Sequence, residues 1–375
     1  MPQSAAMDPQ RQTGHDSLFQ SSVDGDPVIE ALRGWAAFMV MATHFTYLVT
    51  PHAGLWGFAS TGVDLFFVLS GFVFAPYLFG KPLYAGPHLI RRFFRLYPLY
   101  LCALLLYVVL RLPSGSAWDH VGVHLFMGHT LSSLAIANFY NPAFWSLPPE
   151  VEYYLLLPAL AWAASRFRFV WPLVLATALH LLLVAAASPE EKGITARAIA
   201  TVHLPGLLIE FMFGSLAYAM ARGNLCLRSQ RVRFFLGLLV VAGMAFMYLA
   251  LIASVNGVSK TPPLWIGGNF GMGVALGYAL VVSALAGPKG QPAGRLVLGL
   301  TPLFSVMGQL SYGVYLFHNA APKLLDRILP GILGASAVLG CVGITFLLAF
   351  AAHHAIERPL RNYGRQLSRR LGAES

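Results

Sequence analysis

The sequence predicts an all-α membrane protein with about ten transmembrane helices. Hydrophobic residues make up 57% of the 375-residue chain, charged residues make up only 11%, and the mean hydropathy is +0.64. A soluble domain usually carries about 25% charged residues, so this composition excludes an ordinary soluble protein. No stretch has the composition of a separate soluble domain. We therefore expect the apolar stretches to cross a bilayer as helices.

Ten apolar stretches are long enough for this, since a helix needs about 20 residues to span the hydrocarbon core. They lie at about 28–49, 57–79, 93–111, 146–164, 169–187, 199–221, 232–254, 263–286, 301–320 and 330–356. The segment 118–138 is a weaker candidate. It holds Asp119, His120, His124 and His129 and has no long apolar run.

The distribution of basic residues gives these spans a direction. With 118–138 left out of the spanning set, the clusters at 91–95, 166–168, 222–233 and 358–370 all fall on one side. Basic residues collect in cytoplasmic loops, so this side is predicted to be cytoplasmic. Both termini are then predicted to lie in the cytoplasm. The protein itself is predicted to lie in the inner (cytoplasmic) membrane. The segment 118–138 is predicted to be re-entrant or to lie on the outer surface.

The regions outside the spans are short. Residues 1–27 are polar, lack the apolar core of a signal peptide, and are predicted to be a disordered tail. Residues 28–357 form the predicted transmembrane domain, and residues 358–375 form a basic cytoplasmic tail.

Two further features exclude other classes of function. The net charge of +10 is explained by the cytoplasmic loops, and no basic stripe alternates with stacking aromatics, so nucleic-acid binding is not expected. Three cysteines, Cys102, Cys226 and Cys341, show no CxxC spacing and predict neither a disulfide framework nor a metal site.

The first span carries two ionisable residues, Arg33 and His44. Eleven residues correspond to about 1100°, so both side chains are predicted to lie on one helix face, about 16 Å apart along the axis. Charged groups within a span usually face a polar cavity. Each residue alone has a simpler explanation, with Arg33 reaching lipid headgroups and His44 hydrogen-bonded in the interior. The shared face favours a functional pair.

The second and third spans add further polar groups. Asp64 lies near the outer end of the second span, at a depth where lipid headgroups also lie, and Gly71 in its middle permits close helix packing. Arg92 and Arg95 share a face at the predicted cytoplasmic end of the third span. They suit either an anchor to anionic lipid or a clamp for phosphate.

Two carboxylates follow Pro148 and Pro149 at the outer mouth of the fourth span, in the stretch WSLPPEVEYYLLLP. Such carboxylates are costly in an apolar helix and indicate function. The alternative is a helix start, in which Ser146 caps the helix and Glu150 lies in its first turn. That alternative also applies to Glu152.

The stretch GQLSYGVYLFHNAAP places Tyr312, Tyr315 and His318 three residues apart on one face of the ninth span. Packing of amphipathic aromatic side chains explains this pattern as well as function does. Glu357 and Arg358 end the last span and are predicted to form an ion pair.

One pattern resembles a metal site. His120 and His124 lie four residues apart, with Asp119 and His129 nearby. No glutamate follows the first histidine as in a metalloprotease helix. A polar outer face is the preferred interpretation, and no metal is expected.

Taken in order, six stretches of this chain resemble the acyltransferase 3 family of membrane enzymes. They are LRGWAAFMVMATHF, GVDLFFVLSGFV, RRFFRLYPLY, WSLPPEVEYYLLLP, LSYGVYLFH and IERPLR, and they extend from about residue 28 to 361. Each pattern is weak alone, but six in the family's order are specific. Members of this family move an acyl group, often acetyl, onto hydroxyls of sugars and related acceptors. Many also carry a C-terminal SGNH hydrolase-like domain, which is not expected here.

The resemblance implies roles for individual residues. His44 and Glu150 match the family's essential histidine and acidic residue and are the predicted catalytic groups. Arg33 matches its essential arginine, and Arg92 and Arg95 match its RxxR element, which is thought to meet the acyl-CoA donor. We assign the remaining polar and aromatic candidates in the matched motifs to substrate binding: Asp64, Trp145, Glu152 and Tyr312. Relatives differ where Glu152 stands.

The expected reaction is transfer of an acyl group, most simply acetyl, from acyl-CoA to a hydroxyl of a carbohydrate. The acceptor would be an envelope or exported polysaccharide or its lipid-linked precursor. His44, neutral near pH 7, is predicted to be the general base, with Glu150 orienting it or assisting proton transfer. Arg33, Arg92 and Arg95 would hold the CoA phosphates at the cytoplasmic mouth.

Two other classes of function remain open. A proton-coupled transporter or flippase of a lipid-linked glycan would also use buried Arg33 and His44, but it leaves the RxxR element unexplained. A non-catalytic membrane scaffold would tolerate loss of His44. The acyl group, the acceptor and the oligomeric state are not predicted by the sequence.

Overall fold

The structure is a computed structural model that describes residues 26–50, 54–131, 133–187, 196–223, 229–257, 264–286 and 295–373. Within these ranges the chain is helical and contains no strand. The predicted tail, residues 1–27, lies outside them apart from its last two residues. The all-α prediction is therefore confirmed for the described part of the chain.

Eleven helices build the described bundle, in chain order α1 to α11. They are Pro27–Phe45, Gly62–Leu78, Ala85–Arg111, Leu147–Phe167, Val170–Ala186, Leu204–Ala221, Gln230–Gly257, Leu264–Leu285, Arg295–Phe317, Gly334–Ala352 and Arg358–Ala373. Shorter helices connect some of them, including the 3₁₀ helix Gly54–Thr61 before α2 and the helix Ala196–Val202 before α6.

The membrane class is supported by the length and hydropathy of these helices. Five stretches among the described residues are long and apolar enough to cross a bilayer. They are Gly54–Leu78, Ala85–Ser114, Ile199–Ala221, Gln230–Leu251 and Gly334–Gly372. Two shorter apolar helices are Val170–Ala186 and Asn269–Leu285. Each of the ten predicted spans coincides with one of α1 to α10, while the number of membrane crossings stays a prediction.

The third helix begins earlier than predicted. The apolar run predicts a start near residue 93, but α3 begins at Ala85. Pro87 is compatible with this start because the amide groups of a first helical turn have no intrahelical acceptor. Arg92 and Arg95 consequently lie within the helix rather than at its end.

Glycines allow the central helices to touch through their backbones. A Cβ atom added at Gly71 of α2 would overlap the carbonyl of Phe211 in α6, and one at Gly214 of α6 would overlap the carbonyl of Val68. The same relation joins α1 to α9, where Gly308 packs on the carbonyl of Glu30. Backbone contact of this kind is typical of helix pairs in membranes, and it confirms the packing role predicted for Gly71.

The segment between α3 and α4 forms short helices, none of span length: Val121–Leu125, His129–Leu131 and Leu134–Ala137. It runs back along α3, because Tyr97 and Tyr100 donate hydrogen bonds to the carbonyls of Leu125 and His124. Those tyrosines lie about 16–21 Å below the end of α3 at Arg111. This depth favours the re-entrant alternative for 118–138.

Histidines fill the core of this segment. The rings of His124 and His129 stack in parallel with their centroids 4.5 Å apart, and both residues are fully buried. His120 instead lies edge-on to Phe139. No group of three or more candidate metal ligands occurs among the described residues.

The predicted basic tail is a helix, α11, over its described residues. Gly364 packs against Phe94 of α3, and Arg91 donates a hydrogen bond of 3.3 Å to Ser368. A single π-helical turn, His353–Glu357, joins α10 to α11. The tail is therefore attached to the bundle along α3.

Candidate active site

A polar cavity lies at the centre of the bundle, among α1, α2, α3, α4 and α9. Its volume is about 60 Å³, which is room for a few water molecules. Ionisable and hydroxyl side chains line it together with apolar ones: Arg33, Ser70, Arg95, Ser146, Glu150, Ser311, Tyr312, Tyr315, Val63, Phe66, Phe67, Leu96 and Leu147. Charged groups gathered inside an apolar bundle are costly and mark a candidate functional site.

The cavity brings together four of the predicted site residues: Arg33, Arg95, Glu150 and Tyr312. They come from four different helices, which bury them at one point although up to 279 positions separate them in the printed sequence. Tyr312 is fixed by a hydrogen bond of 2.9 Å from its hydroxyl to the carbonyl of Leu96.

The positive charge of Arg33 in the cavity is partly neutralised by a neighbouring carboxylate. Arg33 is only 8% exposed, and its Nη1 atom lies 2.9 Å from Oε1 of Glu30, one turn earlier on α1. Glu30 was not predicted from the sequence. Arg92 does not line the cavity but lies over the ring of Phe74, 4.9 Å from its centroid, so the two arginines of the RxxR element have different surroundings.

Glu150 lies in the first turn of α4 and faces the cavity. Its carboxylate accepts hydrogen bonds from the hydroxyls of Tyr154 and, at 3.4 Å, of Ser70. Ser146 is the N-cap residue of α4, but its side chain makes no capping hydrogen bond. The alternative in which the Ser146 side chain caps α4 is therefore wrong, although Glu150 does lie in the first turn, and the Ser146 hydroxyl instead contacts the hydroxyl of Tyr315 at 2.6 Å.

His44 lies outside the cavity lining, near the end of α1, and pairs with His318. Nδ1 of His44 is 2.8 Å from the carbonyl of Val40 and 3.3 Å from Nε2 of His318. His318 is fully buried, and its Nδ1 is 3.1 Å from the carbonyl of Val314. The partner found beside His44 is therefore His318, whereas the sequence suggested Glu150.

These acceptors fix the tautomers of the pair. A carbonyl can only accept, so Nδ1 carries the hydrogen in both neutral rings. Nε2 of His318 then accepts from the Nδ1–H group of His44. This leaves Nε2 of His44 with a free lone pair, the form that a general base requires.

The histidine pair connects to the cavity through Tyr315. The ring centroids of His318 and Tyr315 are 6.1 Å apart, and the Tyr315 hydroxyl lies at the cavity with Ser146. A line of polar side chains thus runs from the cavity toward the end of α1.

Asp64 lies on the other side of α2. Its carboxyl group is hydrogen-bonded to Glu210 of α6, a residue that is 2% exposed. Both carboxyl groups face Gly271 of α8, where an added Cβ would lie 2.8 Å from one oxygen of each. Oε2 of Glu210 has no hydrogen-bond partner. Asp64, predicted to bind substrate, is therefore part of a separate carboxyl pair.

Two other predicted residues lie at the edge of the site. Trp145 packs edge-on against Phe67, with ring centroids 6.4 Å apart. Glu152 binds Nδ1 of His203 at 3.0 Å and the backbone N–H of Leu204 at 2.8 Å. Because Leu204 begins α6, Glu152 ties α4 to the start of that helix. Their predicted substrate roles stay predictions.

The sequence matches the family described as "Acyltransferase domain" over residues 26–354, which includes every helix that lines the cavity. The chain belongs to this acyltransferase family. The resemblance found in six short motifs is thus confirmed over most of the chain.

Curated relatives of the acyltransferase family differ in length. Peptidoglycan O-acetyltransferase OatA of Listeria monocytogenes is 27% identical over 375 residues, covering 90% of this chain and 56% of the relative. Putative acetyltransferase ORF330 of Acidianus two-tailed virus is 26% identical over 346 residues, covering 90% of each. Protein 2 in picA locus of Rhizobium radiobacter is 31% identical over 195 residues, covering 45% of this chain and 99% of the relative.

The chain spans about half the length of OatA, the longest match among these. No solved structure shows significant similarity to it. The family is therefore established by sequence, and the site must be interpreted from this structure.

Proposed function

We propose that the chain is an integral membrane O-acyltransferase that moves an acyl group from acyl-CoA to a hydroxyl of a carbohydrate. The observation that carries this proposal is the His44–His318 pair, which leaves Nε2 of His44 unprotonated and which Tyr315 separates from the polar cavity. The names of two relatives, an O-acetyltransferase and a putative acetyltransferase, favour acetyl as the acyl group.

The reaction requires one proton to move. Nε2 of His44 takes the proton of the acceptor hydroxyl as its oxygen attacks the thioester carbonyl. The carbon–oxygen bond forms and the carbon–sulfur bond breaks. The thiolate of CoA leaves, and the proton passes to it, so that the free thiol is released. His318 holds the His44 ring in the tautomer that can accept the proton.

Arg33 and Arg95 supply positive charge where the donor would reach the cavity. Both side chains line it, and guanidinium groups bind phosphate and stabilise developing negative charge. Glu150, held by Tyr154 and Ser70, completes the polar lining as a relay for the proton.

The proposed topology has ten spans, with both termini in the cytoplasm. The protein would lie in the inner (cytoplasmic) membrane. Acyl-CoA would then enter from the side that carries the arginine clusters. The carbohydrate acceptor would approach His44 from the opposite side, as a cell-envelope or exported polysaccharide or its lipid-linked precursor.

The test uses the purified chain with acetyl-CoA and envelope glycan, and it measures release of the CoA thiol. We expect His44→Ala to lower the rate by about 10²–10⁴-fold, the usual contribution of a general base. The control is His120→Asn, because His120 is exposed, does not line the cavity, and has a positive φ of 63° that asparagine tolerates. Full activity of His44→Ala would contradict the proposal, and transport of a glycan without acyl-CoA would favour a flippase.

A further inference from the structure

A second cavity lies on the periphery of the bundle, between α9 and the junction of α10 with α11. Its volume is about 470 Å³, far larger than that of the central cavity. Its walls are Val306, Gln309, Leu310, Phe350, His353, His354, Arg358 and Arg361. None of these residues is among the predicted site residues, but Arg361 interacts electrostatically with Arg95 and Glu30, so the groove lies next to the candidate active site.

The polarity of this groove changes along its length. At one end it is apolar, and Val306 and Phe350 are 60% and 54% exposed. Both belong to apolar helices whose other exposed residues include Leu339 and Leu347, so this side faces the hydrocarbon of the bilayer. At the other end the walls carry Arg358 and Arg361.

The basic end of the groove is held in place by a buried glutamate. Oε2 of Glu357 lies 2.9 Å from Nδ1 of His353, and its Oε1 lies 3.7 Å from Nη1 of Arg361, so the arginine that pairs with Glu357 is Arg361 and not the predicted Arg358. Glu357 is 4% exposed, and it belongs to the π-helical turn that joins α10 to α11. The ring of His354 packs at a tilt against that of Phe350, with ring centroids 4.2 Å apart, where the apolar wall meets the basic end.

From this arrangement we infer that the groove binds one anionic phospholipid of the leaflet on the arginine-rich side. Its phosphate would lie between Arg358 and Arg361, and an acyl chain would lie along Val306, Leu310 and Phe350. Basic pockets between helices at this level of a membrane suit anionic headgroups. The exposed apolar wall beneath the arginines favours a lipid over a free phosphate, which would leave that wall uncovered.

The experiment is native mass spectrometry of the whole chain in detergent, with phosphatidylglycerol and phosphatidylcholine as probes. We expect one retained phosphatidylglycerol per chain and weaker retention of phosphatidylcholine. Replacing both groove arginines, Arg358→Gln with Arg361→Gln, should lower phosphatidylglycerol retention roughly 30-fold, about fivefold for each charge removed.

Two matched variants separate the groove from general charge and from misfolding. Arg365→Gln with Arg370→Gln removes the same charge from exposed positions of α11 that do not line the groove, and it should keep the bound lipid. Val306→Trp fills the apolar end at an exposed position without changing charge, and it should also release the lipid.

Three results would overturn the inference. The first is unchanged lipid retention in the groove variants, and the second is an equal loss in the Arg365 and Arg370 variant. The third is displacement of the lipid by CoA, which would assign the groove to the nucleotide end of the acyl donor.

Discussion

At the scale of single residues, the proposed catalysis depends on how the His44 ring is held. Its ring has two acceptors for one hydrogen, the carbonyl of Val40 and Nε2 of His318. His318 does not touch substrate in this account and acts as a positioning residue. His318 lies in the motif LSYGVYLFH, and no role was predicted for it from the sequence.

His318→Ala should therefore lower kcat by about tenfold, the effect of losing one orienting hydrogen bond, with little change in KM for acetyl-CoA. His44 keeps its bond to Val40, so some activity should remain. The measurement is steady-state kinetics of the purified variant, with a pH profile. A fall in kcat equal to that of His44→Ala, with no change in the pH profile, would indicate a structural role instead.

The sequence predicted the cavity residues better than their partners. Arg33, Arg95, Glu150 and Tyr312 could be predicted to converge because buried polar groups in spans usually face one another. Glu210 carried the same signal, a lone carboxylate within the apolar α6, and was missed. Its pairing with Asp64 depends on the packing of α2 against α6 and α8, which one sequence does not specify.

Glu152 shows the limit of local patterns. It lies two positions after Glu150, and both follow the same pair of prolines. On a helix this spacing turns the two side chains to different faces. Glu150 therefore meets the cavity, while Glu152 reaches His203 and the start of α6.

At the scale of elements, the contact between α2 and α6 depends on Gly71. Gly71→Ala would place a methyl group against the carbonyl of Phe211, and the helices would have to separate. We expect a loss of about 1–3 kcal/mol in the free energy of unfolding, as for overpacked cores. The measurement is thermal unfolding in detergent.

The matched control is Gly243→Ala on α7, where an added Cβ meets no atom within 4 Å. This variant should be neutral or slightly stabilising because alanine favours a helix more than glycine does. Equal melting temperatures for the two variants would show that close packing at Gly71 is unimportant.

The segment at 117–140 should loosen in acid. Burial lowers the pKa of His129 to about 4, and burial also lowers the pKa of His124. Both rings are therefore neutral in the fold, and their stacking is fully favourable above the ordinary histidine pKa of about 6.5. The stabilisation is lost as the pH falls from there toward 4.

Hydrogen–deuterium exchange, corrected for its intrinsic pH dependence, measures this directly. Exchange of 117–140 should rise between pH 7 and pH 4.5 in the natural chain. In the double variant His124→Phe with His129→Phe, which keeps the stacked rings without their titration, it should rise much less. An equal rise in both proteins would place the acid-sensitive group elsewhere.

At the scale of the whole molecule, the arrangement of basic residues orients the bundle. The exposed Arg222 follows α6 and is predicted to lie in the cytoplasm, whereas the exposed Asp119 is predicted to lie on the outer side. Arg222→Cys and Asp119→Cys test this with a membrane-impermeant maleimide.

In intact cells, Asp119→Cys should be labelled above the level of the natural chain and Arg222→Cys only after lysis. The opposite result would reverse the proposed direction of acyl transfer. Labelling of both positions from one side would mean an even number of crossings between them, instead of the three crossings, α4 to α6, that ten spans require.

The all-helical fold was the most predictable part, because long apolar stretches satisfy their backbone hydrogen bonds in a bilayer by forming helices. The path of residues 117–140 was less predictable. Its carbonyls accept hydrogen bonds from the tyrosines of α3, which lie more than 20 positions earlier in the sequence. The joining of α11 to α3 likewise depends on Gly364 and Phe94, which form no local pattern.

The most direct measurement is mass spectrometry of extracted envelope and secreted glycans from a deletion strain that carries the chain. Strains with the natural chain and with His44→Ala are compared at equal membrane levels. The account predicts a mass gain of one acyl unit, acetyl first, with the natural chain and none with the variant. The same acyl gain with His44→Ala would contradict the assignment of His44 as the general base.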